Sequence, residues 1–376
     1  MTLAVASRHR AWIDVDHAAL VANVAALQRL AGPAQELIGV VKADAYGHGA
    51  VEVSQTLTRF GVERLAVATL SEAAELRASQ IEGPLLLLWG IGAGDEEAVV
   101  TTRVQPMVDS QATVALLDAA AGAAGVRIGV HLKVDTGLGR QGTKPGSALE
   151  LARAIMRTAH LDLVGTMTHL ACPEDEDHCA IQLAGLRTAL DAFRADGIDP
   201  GIVHLGGTGA ILGSVGTWAD AVRPGIGLYG MAPAPFDART AGLTPVLTLR
   251  ALPLRVFEVP AGTSVGYGLH WTCDRRSRLA TLPIGYGDGW PRTHLNNGSV
   301  LVHGQRVPMV GAISMDGLVV DVSDVDAVGL DDEFVLIGRQ GDQEITADEV
   351  AAQRGTISYE VTTMLRRRLP RRHLRR

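Results

Sequence analysis

The chain has 376 residues, 47% of them hydrophobic and 20% charged, an ordinary globular composition with ample material for a buried core. A formal charge of -7, from 41 acidic against 34 basic residues, excludes a general attraction to nucleic acid or anionic membrane and favours a small-molecule partner. Cys172, Cys179 and Cys273 are too few and too unevenly spaced for a disulfide framework or a zinc site, so reduced thiols and no metal are expected.

The opening MTLAVASRHRAW has an apolar stretch of only about five residues, too short for a signal-peptide core. No later apolar run, LLLLW included, approaches the roughly 20 residues of a membrane span. A cytoplasmic protein is expected. From about residue 35 to 230, short β-branched runs alternate with alanine-rich amphipathic stretches such as SEAAELRAS and QATVALLDAAAGA. The runs are LIGVVKA (37–43), LAVAT (65–69), PLLLLW (84–89), VQPMV (104–108), RIGVHLKVD (127–135), LDLVGTMTH (161–169), IVHLG (202–206) and DAVRPGI (220–226). Eight such strands are the number that closes a barrel, so the fold class expected is α/β, an N-terminal (β/α)8 TIM barrel.

After about residue 243 the pattern changes to closely spaced strands with Gly, Pro and Asp turns: LTLRALPLRVFEV, RLATLPIGY, SVLVHGQRVPMVGAI, LVVDVS and EFVLIG. This predicts a C-terminal, mostly-β domain over 243–376 behind a barrel over 1–242, although the first 12 or so residues could pair with the second domain. A last helical stretch is predicted from ADEVAAQR onward. The end RRRLPRRHLRR, with seven arginines in eleven residues, reads as a helix stopping at Pro370 with cations at its negative end, rather than as a nucleic-acid tail.

Lys42 ends the first barrel strand, in VVKADAYGHG, on the face where barrels display catalytic groups. Its apolar neighbours Val40 and Val41 would strip water from the amine and lower its pKa, which favours attack on an aldehyde. GGTGA (206–210) and PGIG (224–227) lie in the loops after the seventh and eighth strands, where barrels bind phosphate through backbone amides and small hydroxyls. Taken alone, these glycines serve turn geometry equally well.

The run KADAYGHG is similar to the cofactor-lysine motif of bacterial alanine racemases. The resemblance continues through HLKVDTGLGRQG (131–142), THLA (168–171), VRPGIGLYG (222–230), SVGYG (264–268), LPIGYGDGWPR (282–292), SMD (314–316) and GTISYE (355–360). It implies that Lys42 carries pyridoxal 5'-phosphate, that Thr208, Gly225, Ile226 and Tyr359 contact the phosphate, and that Arg223 faces the pyridine nitrogen. A guanidinium only donates hydrogen bonds, so the ring nitrogen would stay unprotonated and the cofactor would be a weak electron sink, which suits racemisation and discourages transamination or elimination.

Inverting a stereocentre needs a base on each face of the α-carbon. The resemblance gives Lys42 one face and Tyr267 the other, with His169 coupling Tyr267 to Arg223. Tyr267 and Met315 lie in the second domain and would reach the barrel of another subunit, so that a head-to-tail homodimer shares its sites. Arg140 and Met315 would bind the amino-acid substrate, and Lys133 matches a lysine that is often carbamylated, an anion able to orient Arg140. Tyr46 and Tyr286 would line the cofactor and the entrance.

Two stretches depart from the usual family text. His-x-Ala-Asn-Ser stands here as His204, Leu205, Gly206, Gly207 and Thr208, and Gly-Arg-Val-(Ser or Cys)-Met-Asp-Gln as Gly311, Ala312, Ile313, Ser314, Met315, Asp316 and Gly317. An entrance arginine and a glutamine are missing, which would admit a bulkier amino acid. Interconversion of L- and D-alanine, supplying D-alanine for peptidoglycan, is therefore expected, the alternatives being a broad-spectrum or serine racemase on the same scaffold or a fold-related decarboxylase. The decarboxylases place a glutamate at the pyridine nitrogen, where this chain has Arg223. A non-catalytic cofactor carrier would not need the domain bearing Tyr267 and Met315. WGIGAGDE prompts a nucleotide-binding reading, which Asp95 and the lack of a second dinucleotide half argue against.

Overall fold

The computed structural model describes residues 9–375. Two compact units are present: Ala19–Thr244, and Met1–Ala18 together with Pro245–Arg376. Strand β1 (Ala11–Asp16) lies in the second unit; the expectation for the first 12 residues falls partly on residues 1–8, outside the described residues.

The first unit is a closed barrel of eight parallel strands. In chain order they are β2 (Glu36–Val40), β3 (Arg64–Val67), β4 (Leu85–Leu87), β5 (Gln105–Val108), β6 (Ile128–Lys133), β7 (Leu161–Met167), β8 (Ile202–Leu205) and β9 (Ala221–Val222). Closure comes from β2 pairing with β9, Glu36 opposite Ala221. All eight expected runs become strands. Their aliphatic side chains, among them Leu37, Ile38, Leu65, Val67 and Leu85–Leu87, are buried, as parallel strands covered by helices require. Local chemistry starts the helices between them. Thr69 caps Leu70–Ala78 in a capping box with Glu72, and Ser110 caps Gln111–Ala124, which stops at Gly125 in the left-handed region (φ 67°).

The second unit continues with β10 (Leu247–Ala251), β11 (Arg255–Val259), β12 (Ser264–Val265), β13 (Trp271–Thr272), β14 (Ser277–Leu282), β15 (Ser299–Val302), β16 (Gln305–Val310), β17 (Leu318–Asp321), β18 (Phe334–Gln340), β19 (Gln343–Ile345) and β20 (Arg371–Leu374). A large sheet runs β11-β14-β17-β16-β15-β18-β10-β1-β20, with β19 on β18, while β12 and β13 form a separate hairpin.

The C-terminal end corrects the expected helix. Helices Ala347–Arg354 and Ser358–Thr363 both stop well before Pro370, and Arg371–Leu374 instead runs parallel to β1. A buried carboxylate supplies the reason. Asp14 on β1 accepts from Arg250 Nε (2.8 Å) and Arg372 Nε (2.9 Å), and the Arg372 guanidinium lies over the Trp12 ring at 4.4 Å. A buried acid in need of charged donors thus recruits the arginines that local reading assigned to a helix end.

Candidate active site

Four groups from separate strand ends act electrostatically on one another at the C-terminal face of the barrel: Lys42 after β2, Arg140 after β6, His169 after β7 and Arg223 after β9. Burial lowers the pKa of Lys42, Arg140 lowers it further, Glu72 opposes and Arg223 adds a smaller lowering. The amine is therefore nearer its nucleophilic form than a solvated lysine.

Directly after Lys42 the chain makes a left-handed turn, with φ of 53°, 55°, 52° and 55° at Ala43, Asp44, Ala45 and Tyr46. Left-handed helical backbone costs roughly 1–2 kcal/mol per non-glycine residue, so surrounding bonds must hold it. Ala45 N donates to Val41 O (2.9 Å), Gly49 N to Asp44 O (2.9 Å), Ala50 N to Asp44 Oδ1 (3.0 Å) and Ala43 N to Glu72 Oε1 (2.7 Å). The His48 ring lies with Nδ1 3.0 Å from both Ala45 O and Tyr46 O and stacks on Tyr229, whose hydroxyl donates to Val40 O (2.9 Å). The turn swings the Tyr46 hydroxyl against Gly225, where any Cβ would collide with it. Thr208 Oγ1 accepts from Gly227 N (3.0 Å), so the loops after β8 and β9 converge. Gly207, one of the departures, lies with its α-carbon facing Arg223 O and the His169 ring.

Arg223 is buried, with no carboxylate partner among the described residues. It donates to His204 Nδ1 (2.8 Å), Thr168 O (2.6 Å) and His169 Nδ1 (3.0 Å), which leaves N–H donors uncommitted among the described residues. Burial pulls the guanidinium down to about 9, still charged at neutral pH. These bonds dictate tautomers. His204 must present a bare Nδ1, so its Nε2–H donates to His131 Nδ1 (2.9 Å), and the His131 Nε2–H donates to Gln105 Oε1 (3.2 Å). Gly165 makes this possible, because a Cβ there would occupy the space of the His131 ring. His131 and Gln105 were not singled out from sequence, and His204 stood out only as the start of a departing stretch, with no role given to it. The only signal was two histidines at inward positions of β6 and β8.

Burial, then Arg223 and Arg64, hold His131 at about 3. The unfolded chain would take up a proton near 6.5, the folded one only near 3, so stability is full above 6.5 and falls as pH drops through that window. The urea midpoint should accordingly be lower at pH 5 than at pH 7. Equal midpoints would contradict the buried neutral chain.

Lys133 on β6 is buried, and burial, Arg140 and Arg223 bring it down to about 8 against the pull of Asp109 and Asp135. Arg140 lies over the Trp89 ring at 5.3 Å, and Asp135 shapes its loop by accepting from Gly137, Leu138 and Gly139 amides. Trp89 belongs to WGIGAGDE, where Asp95 Oδ2 accepts from Gly92 N (2.8 Å) and helix Glu96–Thr102 opens on two glutamates. Such a helix start repels phosphate, which removes the nucleotide reading.

The second unit carries the remaining predicted residues. Tyr267 sits in a short turn between β12 and β13 and is 71% exposed, Leu269 68% and Met315 52%. Beside Tyr267 lies an open cavity of about 390 Å3, lined by Gly266, Ala312, Ser314, Gly317 and β17. Met315 and Tyr286 are brought together: Tyr286 N donates to Ser314 O (3.1 Å) and Gly287 N to Met315 O (2.8 Å), an approach that only glycine at 285 permits. Tyr359 lies in helix Ser358–Thr363, and burial pushes its phenol up to about 12, so it remains protonated.

Among the described residues no cluster could hold a metal ion, and no helix is long and apolar enough to cross a membrane. Family models match over most of the chain: the alanine racemase N-terminal domain over residues 15–233 and its C-terminal domain over 246–373. The chain is 39% identical to the alanine racemase of Synechocystis sp. (97% of this chain, 99% of that one) and 40% identical to that of Symbiobacterium thermophilum (96% of each). Among solved structures it is similar to alanine racemase from D-cycloserine-producing Streptomyces lavendulae (TM-score 0.92, 36% identity, 98% of both chains). It is also similar to that of Bacillus anthracis with bound L-Ala-P (TM-score 0.91, 31% identity, 99% of this chain and 96% of that one).

Proposed function

The chain belongs to the alanine racemase family and is an isomerase, and from that premise we propose that it interconverts L- and D-alanine with Lys42 on one face of the α-carbon and Tyr267 of a second subunit on the other. The observation that carries this reading is Arg223, a buried guanidinium with neutral partners and free donors. Such a group suits a neutral ring nitrogen and cannot protonate it.

The donor set fits pyridoxal 5'-phosphate, which when bound would supply a conjugated sink for the electron pair left at the α-carbon. Thr208 and the Gly225 and Ile226 amides would hold its phosphate, Tyr46 standing against the same loop. Arg223 would donate to the ring nitrogen and keep the sink weak, so that the proton returns to the α-carbon. The His169 Nε2–H, left over because Nδ1 accepts from Arg223, would donate to the Tyr267 oxygen and help it act as a base.

Arg140 would receive the substrate carboxylate together with Met315 of a second subunit, and Tyr286, held against Met315 by the Gly287 N to Met315 O bond, would border the entrance. Lys133, at about 8, has a free-base fraction near neutrality, the form that adds carbon dioxide. A carbamate there would replace a repelling cation beside Arg140 with an anchoring anion. The exposure of Tyr267, Leu269 and Met315 supports a homodimer that covers them, and a cytoplasmic setting is the companion proposal.

Solvent deuterium appearing at the α-carbon of both enantiomers, with inversion and without carbon dioxide release, is the outcome expected. Carbon dioxide release would establish the decarboxylase instead. The cavity beside Tyr267 favours a second reading in which serine and larger amino acids are also racemised. Ala312→Arg should then lower the activity on larger substrates relative to alanine by about tenfold or more, the discrimination that a side chain's bulk can supply. Strict alanine preference in the unaltered protein would sink this reading.

A further inference from the structure

We propose that Glu72 is a positioning residue for Lys42, its carboxylate tying the amide that follows the lysine to the neighbouring strand-helix loop. Oε1 accepts from Ala43 N (2.7 Å), while Oε2 accepts from Ala68 N (2.8 Å) and Thr69 N (3.1 Å). Only the last of these belongs to the capping box of helix Leu70–Ala78. The bond to Ala43 spans 29 positions and fastens the first residue of the left-handed turn. A helix cap needs no such contact.

Three amides converge on two oxygens, so this place requires an acceptor without protons of its own. A glutamine would turn an N–H toward an amide donor. Charge adds a second role. Lys42 faces Arg140 from the loop after β6, Arg223 from after β9 and the neutral His169 from after β7, and Glu72 is the anion that acts on it. It keeps Lys42 from being driven too far from its protonated form by the two arginines, so that the amine can both lose and regain a proton.

The inference rests on the proposed role of Lys42. The test compares Glu72→Gln, Glu72→Asp and Thr69→Ala in the full-length holoenzyme, reading hydrogen exchange of the segment 41–48 and the acid limb of kcat, which reports the substrate-bound enzyme in which the Lys42 amine moves a proton. Glu72→Gln should speed exchange in that segment by about tenfold, the loss of one hydrogen bond to a charged acceptor, and move the acid limb down by roughly half to one pH unit, since an anion that stabilised the ammonium is gone. Glu72→Asp keeps the charge and loses reach, so exchange should rise with the limb in place. Thr69→Ala breaks the cap alone and should alter neither.

An unchanged limb and exchange in Glu72→Gln would overturn the proposal, as would equal effects from Thr69→Ala. Should Glu72→Gln fail to fold, a shifted limb or unaltered exchange in Glu72→Asp would overturn it as well. Failure of the Lys42 assignment would appear differently, as activity surviving Lys42→Ala, and the exchange measurement would still decide the tie to Ala43.

Discussion

Lys42→Ala will abolish racemisation and the visible absorbance of the purified protein together. The amine has two duties in the proposed reaction, holding the aldehyde cofactor and moving a proton at the α-carbon, and no neighbour can assume either. Arg223 is a guanidinium that stays protonated, Arg140 lies in the loop after β6, and Lys133 lies on β6, within a separate strand. Loss of a base alone costs 10²–10⁴-fold, so loss of base and anchor should exceed about 10⁴-fold in kcat/KM. In the unaltered protein, borohydride should remove the absorbance and leave a permanent mass increase on the peptide containing Lys42. Colour that persists in the variant would defeat the assignment of cofactor and lysine at once.

Tyr267→Phe removes one hydroxyl from an exposed turn and should lower kcat/KM by about 10²–10⁴-fold in both directions. Both must fall equally because the enantiomers have equal free energy, so any catalyst leaves the ratio of forward and reverse kcat/KM at unity. Proton exchange need not be symmetrical. With Lys42 intact, one enantiomer should still exchange its α-proton with solvent without inverting, while the other exchanges far more slowly. Equal exchange of both enantiomers would mean that Tyr267 is not the second base.

The two variants also test the shared site. In a mixed dimer of Lys42→Ala and Tyr267→Phe subunits, one site combines an intact Lys42 with an intact Tyr267 and the other has neither. Random reassembly should restore about a quarter of full activity, half the dimers being mixed and each having one good site of two. Mixtures that stay inactive, although mixed dimers form, would place both bases within one chain.

Much of the architecture was legible locally. Runs such as LIGVV and PLLLLW are short, apolar and β-branched or leucine-rich, and the alanine-rich stretches SEAAELRAS and QATVALLDAAAGA between them become helices Leu70–Ala78 and Gln111–Ala124. The motif around Lys42 pointed to the chemistry because its residues are neighbours in the chain. The arginine-rich end was misread for the opposite reason. Its local text suits a helix terminus, whereas its structure answers to Asp14, 358 positions away from Arg372.

The sequence by itself determined the eight barrel strands, the family and the amine at the end of the first of those strands, since periodicity and motif are written within a few residues. Only the tertiary structure decided that Ala43 to Tyr46 wind left-handed and that Glu72 reaches back to brace them. Closure of the barrel likewise brings His131 to His204 past the bare α-carbon of Gly165 and leaves Arg223 with neutral partners alone. These features follow from which strand ends meet around the barrel mouth, and a hydrogen bond or a buried charge takes its energy from that meeting rather than from its neighbours in the chain.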